Sequence, residues 1–220
     1  MVMKKEYNDK NGKYTIYIEK EILTMNVVVD ECKNKEEILN EINKVADEYN
    51  IENVKVGDHT ETIFGNRKED YQINRYVVSN PKKNIKDYSH EKVSEGSAKL
   101  YIRITNEATK NIDNMTYVDN DEVNEYLNKD NAIIGFIKYK ENIIGTFIID
   151  DACLESFCLR KEYRGKKLAL NALYYIMNLS NSEGIYLFCS TRNEVAMNLY
   201  KKAGFQLSVE NKTNKFYILR

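Results

Sequence analysis

The sequence has little of several features on which whole classes of protein depend. It contains one proline, no tryptophan and four cysteines in 220 residues. The cysteines are irregularly spaced and no two are separated by two residues, so they suggest neither a disulfide framework nor a structural zinc site. We therefore expect free thiols, no metal and a fold that depends on its hydrophobic core, for which 42% hydrophobic residues are sufficient.

Long hydrophobic runs and an excess of one charge are also missing. Apolar stretches such as residues 132–137 are far shorter than the roughly 18 residues that span a bilayer, and the N-terminus has no apolar signal core. The 33 Lys and Arg residues nearly balance the 34 Asp and Glu residues, so the net charge of −1 does not favour nucleic-acid binding. We expect a cytoplasmic protein without membrane or nucleic-acid partners, either a monomer or a homodimer.

The first part of the chain, residues 1–80, predicts a small α/β region. Its apolar residues alternate in four segments and recur at helical spacing in one, where Asn34 is a plausible helix cap. The predicted strands are 13–19, 23–29, 51–56 and 73–78, and the predicted helix is 34–48. Residues 81–96 contain the only proline, Pro81, and a charged stretch, which predicts a linker.

The remaining part, residues 97–220, predicts a second α/β domain. The order of elements is strand, helices, three strands, helix, strand, helix and two strands, which is typical of a mixed α/β layer architecture. The predicted strands are 99–104, 132–139, 143–150, 153–159, 185–190, 205–209 and 215–219, and the predicted helices are 122–127, 166–179 and 194–203. Gly204 occupies the position expected just past the last helix.

A short basic turn joins the strand at 153–159 to the helix at 166–179. A junction of this kind directs unpaired backbone N–H groups and the positive end of a helix dipole at one point, which is how proteins hold phosphates. The turn and the residues that follow it are Arg164, Gly165, Lys166, Lys167, Leu168 and Ala169. Taken alone, this pattern fits a solvated surface turn as well as a diphosphate site.

The basic turn resembles the acyl-CoA-binding signature of the GNAT superfamily of N-acyltransferases. That signature is Gln or Arg, two residues, Gly, one residue, and Gly or Ala, and Arg164, Lys167 and Ala169 take its three positions. Lys167 departs from the pattern, which prefers glycine there. Residues 193–205 resemble the late helix of the same superfamily, which often contains Tyr, three residues and Gly-Phe, here from Tyr200.

The resemblance covers about 120 residues and implies a fold and a reaction. The fold is a mixed, mostly antiparallel sheet flanked by helices, of α/β or α+β class. The reaction is transfer of the acetyl group of acetyl-CoA, a co-substrate, to a primary amine of a small molecule or peptide by direct attack. For residues 1–80 we consider a degenerate partial copy of the same unit.

The resemblance also implies roles for individual residues. Glu155 would be the base, directly or through water, and Tyr200 the acid that protonates the CoA thiolate. The residues expected to bind the cofactor are Phe157, Cys158 and Leu159 through their backbone, Arg164, Gly165, Lys166, Lys167, Leu168 and Ala169, and Asn193.

Other interpretations remain open. Glu155 also fits a surface carboxylate, and Tyr200 a packing tyrosine. An acidic set fits either a pocket for a cationic amine or a solvated face, and consists of Asp113, Asp119, Asp121 and Glu122. The competing function is a non-catalytic acyl-CoA sensor or partner-binding module, which would need neither Glu155 nor Tyr200.

A catalytic thiol is a further rival, because three cysteines fall on neighbouring predicted strands. They are Cys153, Cys158 and Cys189. Neither His59 nor His90 has local sequence support as the base that such a thiol needs, and we expect both histidines in exposed loops.

Overall fold

The computed structural model describes residues 2–19, 23–79, 82–110, 112, 117–209 and 214–220. The chain divides into two compact units. The first unit consists of Met1–Ile73 with Lys212–Arg220, and the second unit consists of Asn74–Asn211. The C-terminal strand was predicted to belong to the domain of residues 97–220, but it groups with the first unit. The reason is that it pairs with strands that lie more than a hundred residues earlier in the sequence.

The first unit is a sheet with one packed helix. Its elements are β1 (Val2–Asp9), β2 (Gly12–Glu19), β3 (Thr24–Cys32), α1 (Lys35–Glu48), β4 (Asn53–Asp58), the start of β5 (Tyr71–Ser79) and β12 (Asn214–Ile218). Strands β1, β2 and β3 are antiparallel, α1 connects the parallel pair β3 and β4, and β12 lies antiparallel between β4 and β5. Asn34 caps α1 as predicted, since its Oδ1 accepts the Glu37 N–H at 3.3 Å.

The second unit contains the end of β5 and most of the helices. Its other elements are β6 (Tyr88–Lys92), α2 (Ala98–Thr109), α3 (Asn120–Leu127), β7 (Ala132–Tyr139), β8 (Asn142–Asp150), β9 (Cys153–Leu159), α4 (Ala169–Met177), β10 (Gly184–Ser190), α5 (Glu194–Ala203) and β11 (Gln206–Leu207). The strand order is β5, β10, β9, β8, β7, β6, antiparallel from β6 to β9 and parallel between β9 and β10. This mixed, mostly antiparallel sheet confirms the predicted fold class.

Helices cover both faces of the second sheet. On β8, Phe147 and Ile149 pack in the cluster that contains the buried residues of α4, whereas Ile148 packs with Tyr101 and Ile104 of α2. Successive residues of a strand point to opposite faces, so α2 and α4 lie on opposite sides of the sheet.

The predicted strand at 99–104 is wrong, because these residues belong to α2. The alternation of Leu100, Ile102 and Ile104 is compatible with a strand, but the buried residues form one face of a helix, with Ala98, Tyr101 and Ile104 three residues apart and Thr105 and Thr109 four apart. The buried residues are Ala98, Tyr101, Ile104, Thr105, Asn106, Ala108 and Thr109. Threonine and asparagine contribute to this buried face through hydrogen bonds, which a count of apolar residues misses.

Two further differences from the sequence predictions concern β6 and α4. Strand β6 falls within residues 81–96, where a linker was expected, because an edge strand with one neighbour carries polar residues and lacks the hydrophobic alternation of a central strand. Helix α4 begins at Ala169 rather than at Lys166, because Lys167 has a left-handed backbone with φ of 60° that no helix can contain.

Candidate active site

Strands β9 and β10 separate next to the basic turn. Their parallel register in the described chain consists of one pair, Tyr186 with Cys153, and the Tyr186 N–H donates to the Ala152 carbonyl at 2.9 Å. Beyond that pair, β9 follows β8 as far as Leu159. The two strands therefore leave a gap in which backbone N–H and C=O groups of β9 face away from any ladder partner.

The register between β8 and β9 decides which backbone groups face this gap. The Arg160 N–H donates to the Ile144 carbonyl at 2.9 Å, so the hydrogen-bonded pairs fall on every second residue and include Cys158 with Thr146. The N–H groups of Phe157 and Leu159 point to the other side, towards the gap. Phe157, Cys158 and Leu159 were predicted to bind the cofactor through their backbone. The N–H of Cys158 is directed to β8, so among these three only Phe157 and Leu159 have an N–H that faces the gap.

Glu155 is the extra residue of a β-bulge in β9. Ile149 pairs with Leu154 and Ile148 pairs with Ser156, so Glu155 has no opposite residue on β8. Its side chain is exposed, and it forms no ion pair with any residue in the described ranges. A bulge of this kind re-aims a side chain away from the regular alternation, which brings an exposed carboxylate to the rim of the gap.

No side chain caps the backbone N–H groups at the start of α4, next to the basic turn. Gly165 has φ of 73°, and a Cβ added to it would meet no atom within 4 Å, so the space beside it is open. The first turn of α4 has no side-chain cap at Leu168, which leaves its N–H groups directed at the turn. The position where the GNAT pattern prefers glycine is Lys167, and its φ of 60° explains that preference.

The guanidinium of Arg164 is used inside the fold. Its Nε donates to the Leu159 carbonyl at 2.9 Å, and its Nη2 donates to the Ala108 carbonyl at the end of α2. This side chain therefore ties the end of β9 to α2, and what Arg164 can offer to a ligand is its backbone and its positive charge.

A pocket of about 420 Å³ adjoins the basic turn. It lies between the hairpin of β7 and β8 and the loop after β9, and its lining residues are Tyr139, Lys140, Asn142, Tyr163, Lys166 and Leu168. Two ammonium groups and two phenol rings suit an anionic ligand with a planar ring. Sequence reasoning missed all of these residues except Lys166 and Leu168, because the hairpin turn and the basic turn lie twenty residues apart and only pairing of β8 with β9 brings them together.

Tyr200 lies on α5 and packs against the core beside α4. Its ring is 5.6 Å from the ring of Phe205. Burial raises the pKa of the Tyr200 hydroxyl well above its ordinary value, and the nearby thiols of Cys189 and Cys158 act in the same direction. The hydroxyl therefore keeps its proton at neutral pH and can donate it.

Asn193 is the N-cap of α5. Its Oδ1 accepts the Ala196 N–H at 3.1 Å, so this oxygen is used to begin the helix that carries Tyr200. A contact from Asn193 to a cofactor would have to come from its Nδ2 or its backbone.

A chain of buried hydroxyl groups lies beneath β9 on the side of α2. Thr105 and Thr146 are 2.8 Å apart, and Thr146 is 3.0 Å from the thiol of Cys158. Burial raises the pKa of the Cys158 thiol above its ordinary value. Burial also raises the pKa of Cys153 to about 12 and that of Cys189 to about 11. Thiols with raised pKa values are poor nucleophiles at neutral pH, which argues against a catalytic cysteine.

Asp119 and the two histidines among the remaining polar candidates have partners within the fold. Asp119 caps α3, since its Oδ1 accepts the N–H groups of Asp121 and Glu122, and Asp113 lies outside the described residues. The expectation of loop histidines is wrong for His90, which lies on β6 with its Nδ1 3.0 Å from the Tyr175 hydroxyl, because an edge strand is polar enough to be mistaken for a loop. His59 follows β4 and is 3.0 Å from Asp30.

The part of the chain that the structure describes contains no group of three or more His, Cys, Asp or Glu side chains that could hold a metal ion. Among its helices, none has the length and apolar character needed to cross a membrane.

Comparison with known proteins gives one family and many structures. A family model described as acetyltransferase (GNAT) family matches residues 94–205. That range contains the basic turn, the β-bulge and the helix of Tyr200. A search of curated proteins gives no match.

The fold resembles several solved structures at low sequence identity. A GCN5-related N-acetyltransferase from Sphaerobacter thermophilus shares 11% identity at a TM-score of 0.57, over 94% of this chain and 75% of that one. Another from Kribbella flavida shares 10% identity at a TM-score of 0.58, over 97% and 88% of the two chains. A third, from Anabaena variabilis, shares 7% identity at a TM-score of 0.61, over 99% and 58%.

Proposed function

The chain belongs to the GNAT acetyltransferase family and is an acyltransferase, and we propose that it transfers the acetyl group of acetyl-CoA to a primary amine. The observation that carries the proposal is the gap between β9 and β10, which has backbone N–H groups along β9 and the basic turn at its end. Acetyl-CoA supplies the acyl group as a thioester. The cytoplasmic location and the state of monomer or homodimer remain part of the proposal.

The residues at the gap fit this co-substrate. The basic turn offers the N–H groups of Gly165 and of the first turn of α4, together with the charges of Lys166 and Lys167, for a diphosphate. The N–H groups of Phe157 and Leu159 can hydrogen-bond an extended amide-containing arm along β9, and one of them can polarise a carbonyl oxygen on which negative charge develops.

We assign proton transfer to the side chains of Glu155 and Tyr200. Glu155 accepts the proton of the attacking amine, directly or through water, because its carboxylate is exposed and lies at the rim. Tyr200 donates a proton to the departing thiolate, because its hydroxyl carries a proton at neutral pH and the thiolate becomes basic as the thioester bond breaks. No protein nucleophile takes part in this mechanism, and the raised pKa values of the thiols are consistent with that.

Binding and turnover test the proposal together. Isothermal titration calorimetry should detect binding of CoA and acetyl-CoA, and release of free thiol from acetyl-CoA should depend on an added amine. The amines to be tested are polyamines, aminoglycosides, amino acids and peptides with free N-termini. Tight binding without thiol release on any amine would favour an acyl-CoA sensor, and absence of binding would overturn the proposal.

Replacing Glu155 with glutamine should expose the need for a base. At pH 7.4 a lysine-like amine is about 0.1% neutral, whereas the α-amine of a peptide N-terminus is about one third neutral, so the loss of kcat should be about 100-fold for the first and about tenfold for the second. The residual rate should rise with pH as more amine loses its proton, as measured by thiol release between pH 6.5 and 9. Glu162→Gln, on an exposed carboxylate paired with Arg160, is the control. A rate equal to the wild type at every pH would contradict the role of Glu155.

Replacing Lys167 should separate backbone strain from charge. Lys167→Gly should raise stability by about 0.5–1 kcal/mol, because glycine adopts the left-handed backbone without a Cβ penalty. Lys167→Ala removes the same charge but keeps the strain, so it should not raise the melting temperature. Calorimetry should show that both variants bind CoA about threefold more weakly, through loss of one ammonium group. Equal melting temperatures for the two variants would show that the left-handed backbone of Lys167 is not strained.

A further inference from the structure

Strands β5 and β10 present a polar and aromatic surface on one face of the second unit. On β10, Ile185, Leu187 and Cys189 are buried in the core beside α4, so Tyr186 and Phe188 point to the opposite face. Phe188 is 53% exposed, and its ring lies edge-on to that of Tyr186 with centroids 6.0 Å apart. Phe188 is thus exposed and Tyr186 half-buried beside it, and the two rings together offer an aromatic surface that a ligand can contact.

A positive charge lies over this aromatic pair. The guanidinium carbon of Arg75, on β5, is 4.4 Å from the centroid of the Tyr186 ring. Arg75 has further partners within the fold. A guanidinium carries several N–H donors in a planar fork, so it can hold a carboxylate through two parallel hydrogen bonds in addition to its other partners.

A negative charge lies on the other side of Tyr186. Cys153 pairs with Tyr186 across β9 and β10, and Glu155 follows two residues later at the bulge. The pKa of Tyr186 is raised mainly by burial and next by the neighbouring Cys153 thiol, with the carboxylate of Glu155 raising it further and the guanidinium of Arg75 opposing the shift. Both charges are thus close enough to act on the same phenol, from groups on β9 and on β5.

We propose that the acceptor amine is a free α-amino acid with an apolar or aromatic side chain, held with its ammonium group at Glu155 and its carboxylate at Arg75. This inference rests on the proposed function, because Glu155 must then take a proton from the same amine that it binds. Tyr186 and Phe188 contact the side chain of the amino acid. A peptide N-terminus, a polyamine and an aminoglycoside have no carboxylate next to the amine and leave Arg75 unused.

The test compares amines that differ only in the carboxylate. The common amino acids are first screened for thiol release from acetyl-CoA, and the best is then compared with its amide and with the amine that lacks the carboxyl group. For phenylalanine these are phenylalaninamide and phenethylamine. The amide has the less basic amine and is intrinsically the easier acceptor, so a kcat/KM at least about tenfold higher for the acid must come from recognition of its carboxylate.

A variant of Arg75 tests whether this residue causes the preference for the amino acid over the amine without a carboxylate. Arg75→Gln should lower kcat/KM for the amino acid about tenfold or more and leave phenethylamine within about twofold. Arg103→Gln, on an exposed arginine of α2, should change neither value. If Arg75→Gln fails to fold, as judged by its melting temperature, the acid-to-amide ratio of the wild type decides the question.

The outcomes separate this inference from the proposed function. Turnover of phenethylamine or a polyamine as fast as of the best amino acid would overturn the inference alone, as would an equal loss for all amines in Arg75→Gln. Absence of thiol release with every amine, although CoA binds, would instead overturn the proposed function and the inference with it.

Discussion

Replacing Tyr200 with phenylalanine is expected to lower kcat by about 100-fold, because the departing CoA thiolate loses its proton donor. The substitution removes one oxygen atom and leaves the packing of the ring beside Phe205 intact. The affinity for CoA should stay within about threefold of the wild type, since the hydroxyl acts only as the thioester breaks. Steady-state kinetics and calorimetry on the same preparation measure the two effects.

Tyr76→Phe is the matched control for this substitution. Its hydroxyl also contacts α5, where it lies 3.6 Å from the sulfur of Met197, but it is not assigned to proton transfer. The control should keep kcat within about twofold of the wild type. A similar kcat for Tyr200→Phe and Tyr76→Phe would remove Tyr200 from the mechanism.

The pH dependence offers a second measurement on Tyr200. Its folded pKa is raised above the ordinary value, so the protonated form that donates persists through neutral pH and is lost only at strongly alkaline pH. The wild-type rate should therefore not fall between pH 7 and 10 through loss of this proton. A decline that begins near pH 8 and is absent from Tyr200→Phe would contradict the raised pKa.

Replacing Gly145 with alanine is expected to lower the free energy of unfolding by about 3 kcal/mol. A Cβ at this position of β8 would lie 2.0 Å from the carbonyl oxygen of Cys158 and 3.0 Å from the Cα of Leu159. Both are backbone atoms, so β9 itself must move. The melting temperature should fall by roughly 6–12 °C for a protein of this size.

The same substitution should also weaken binding of CoA, because the displaced backbone is that of the residues whose N–H groups face the gap. Gly184→Ala is the control, since a Cβ there meets one atom, the Val78 carbonyl oxygen, at an ordinary 3.6 Å. It should change stability by less than about 0.5 kcal/mol. If differential scanning calorimetry gave both variants the wild-type melting temperature, the close approach of β8 and β9 at Gly145 would be refuted.

The sequence by itself predicted the fold class and the elements with strong local signals. Asn34 before an amphipathic run begins α1, and Gly204 after another ends α5, as expected from capping chemistry. The hairpin of β7 and β8 and the strand β9 were also predicted, because short apolar runs of strand length are separated by polar residues. The basic turn and the pattern around Tyr200 were local in sequence, so the family could be named from them, and the family match confirms it.

Only the tertiary structure decided the properties that depend on residues far apart in sequence. The strand order places β12 between β4 and β5, the bulge sets Glu155 apart from its neighbours, and the register turns the N–H of Cys158 to β8. Arg75 and Tyr186 meet across two strands that are more than a hundred residues apart. Helix caps and the alternation of side chains depend on residues that are close in sequence, so a local segment is enough to predict them. Register and strand order depend on how whole faces of helices and strands pack against each other, and this packing cannot be predicted from any single segment.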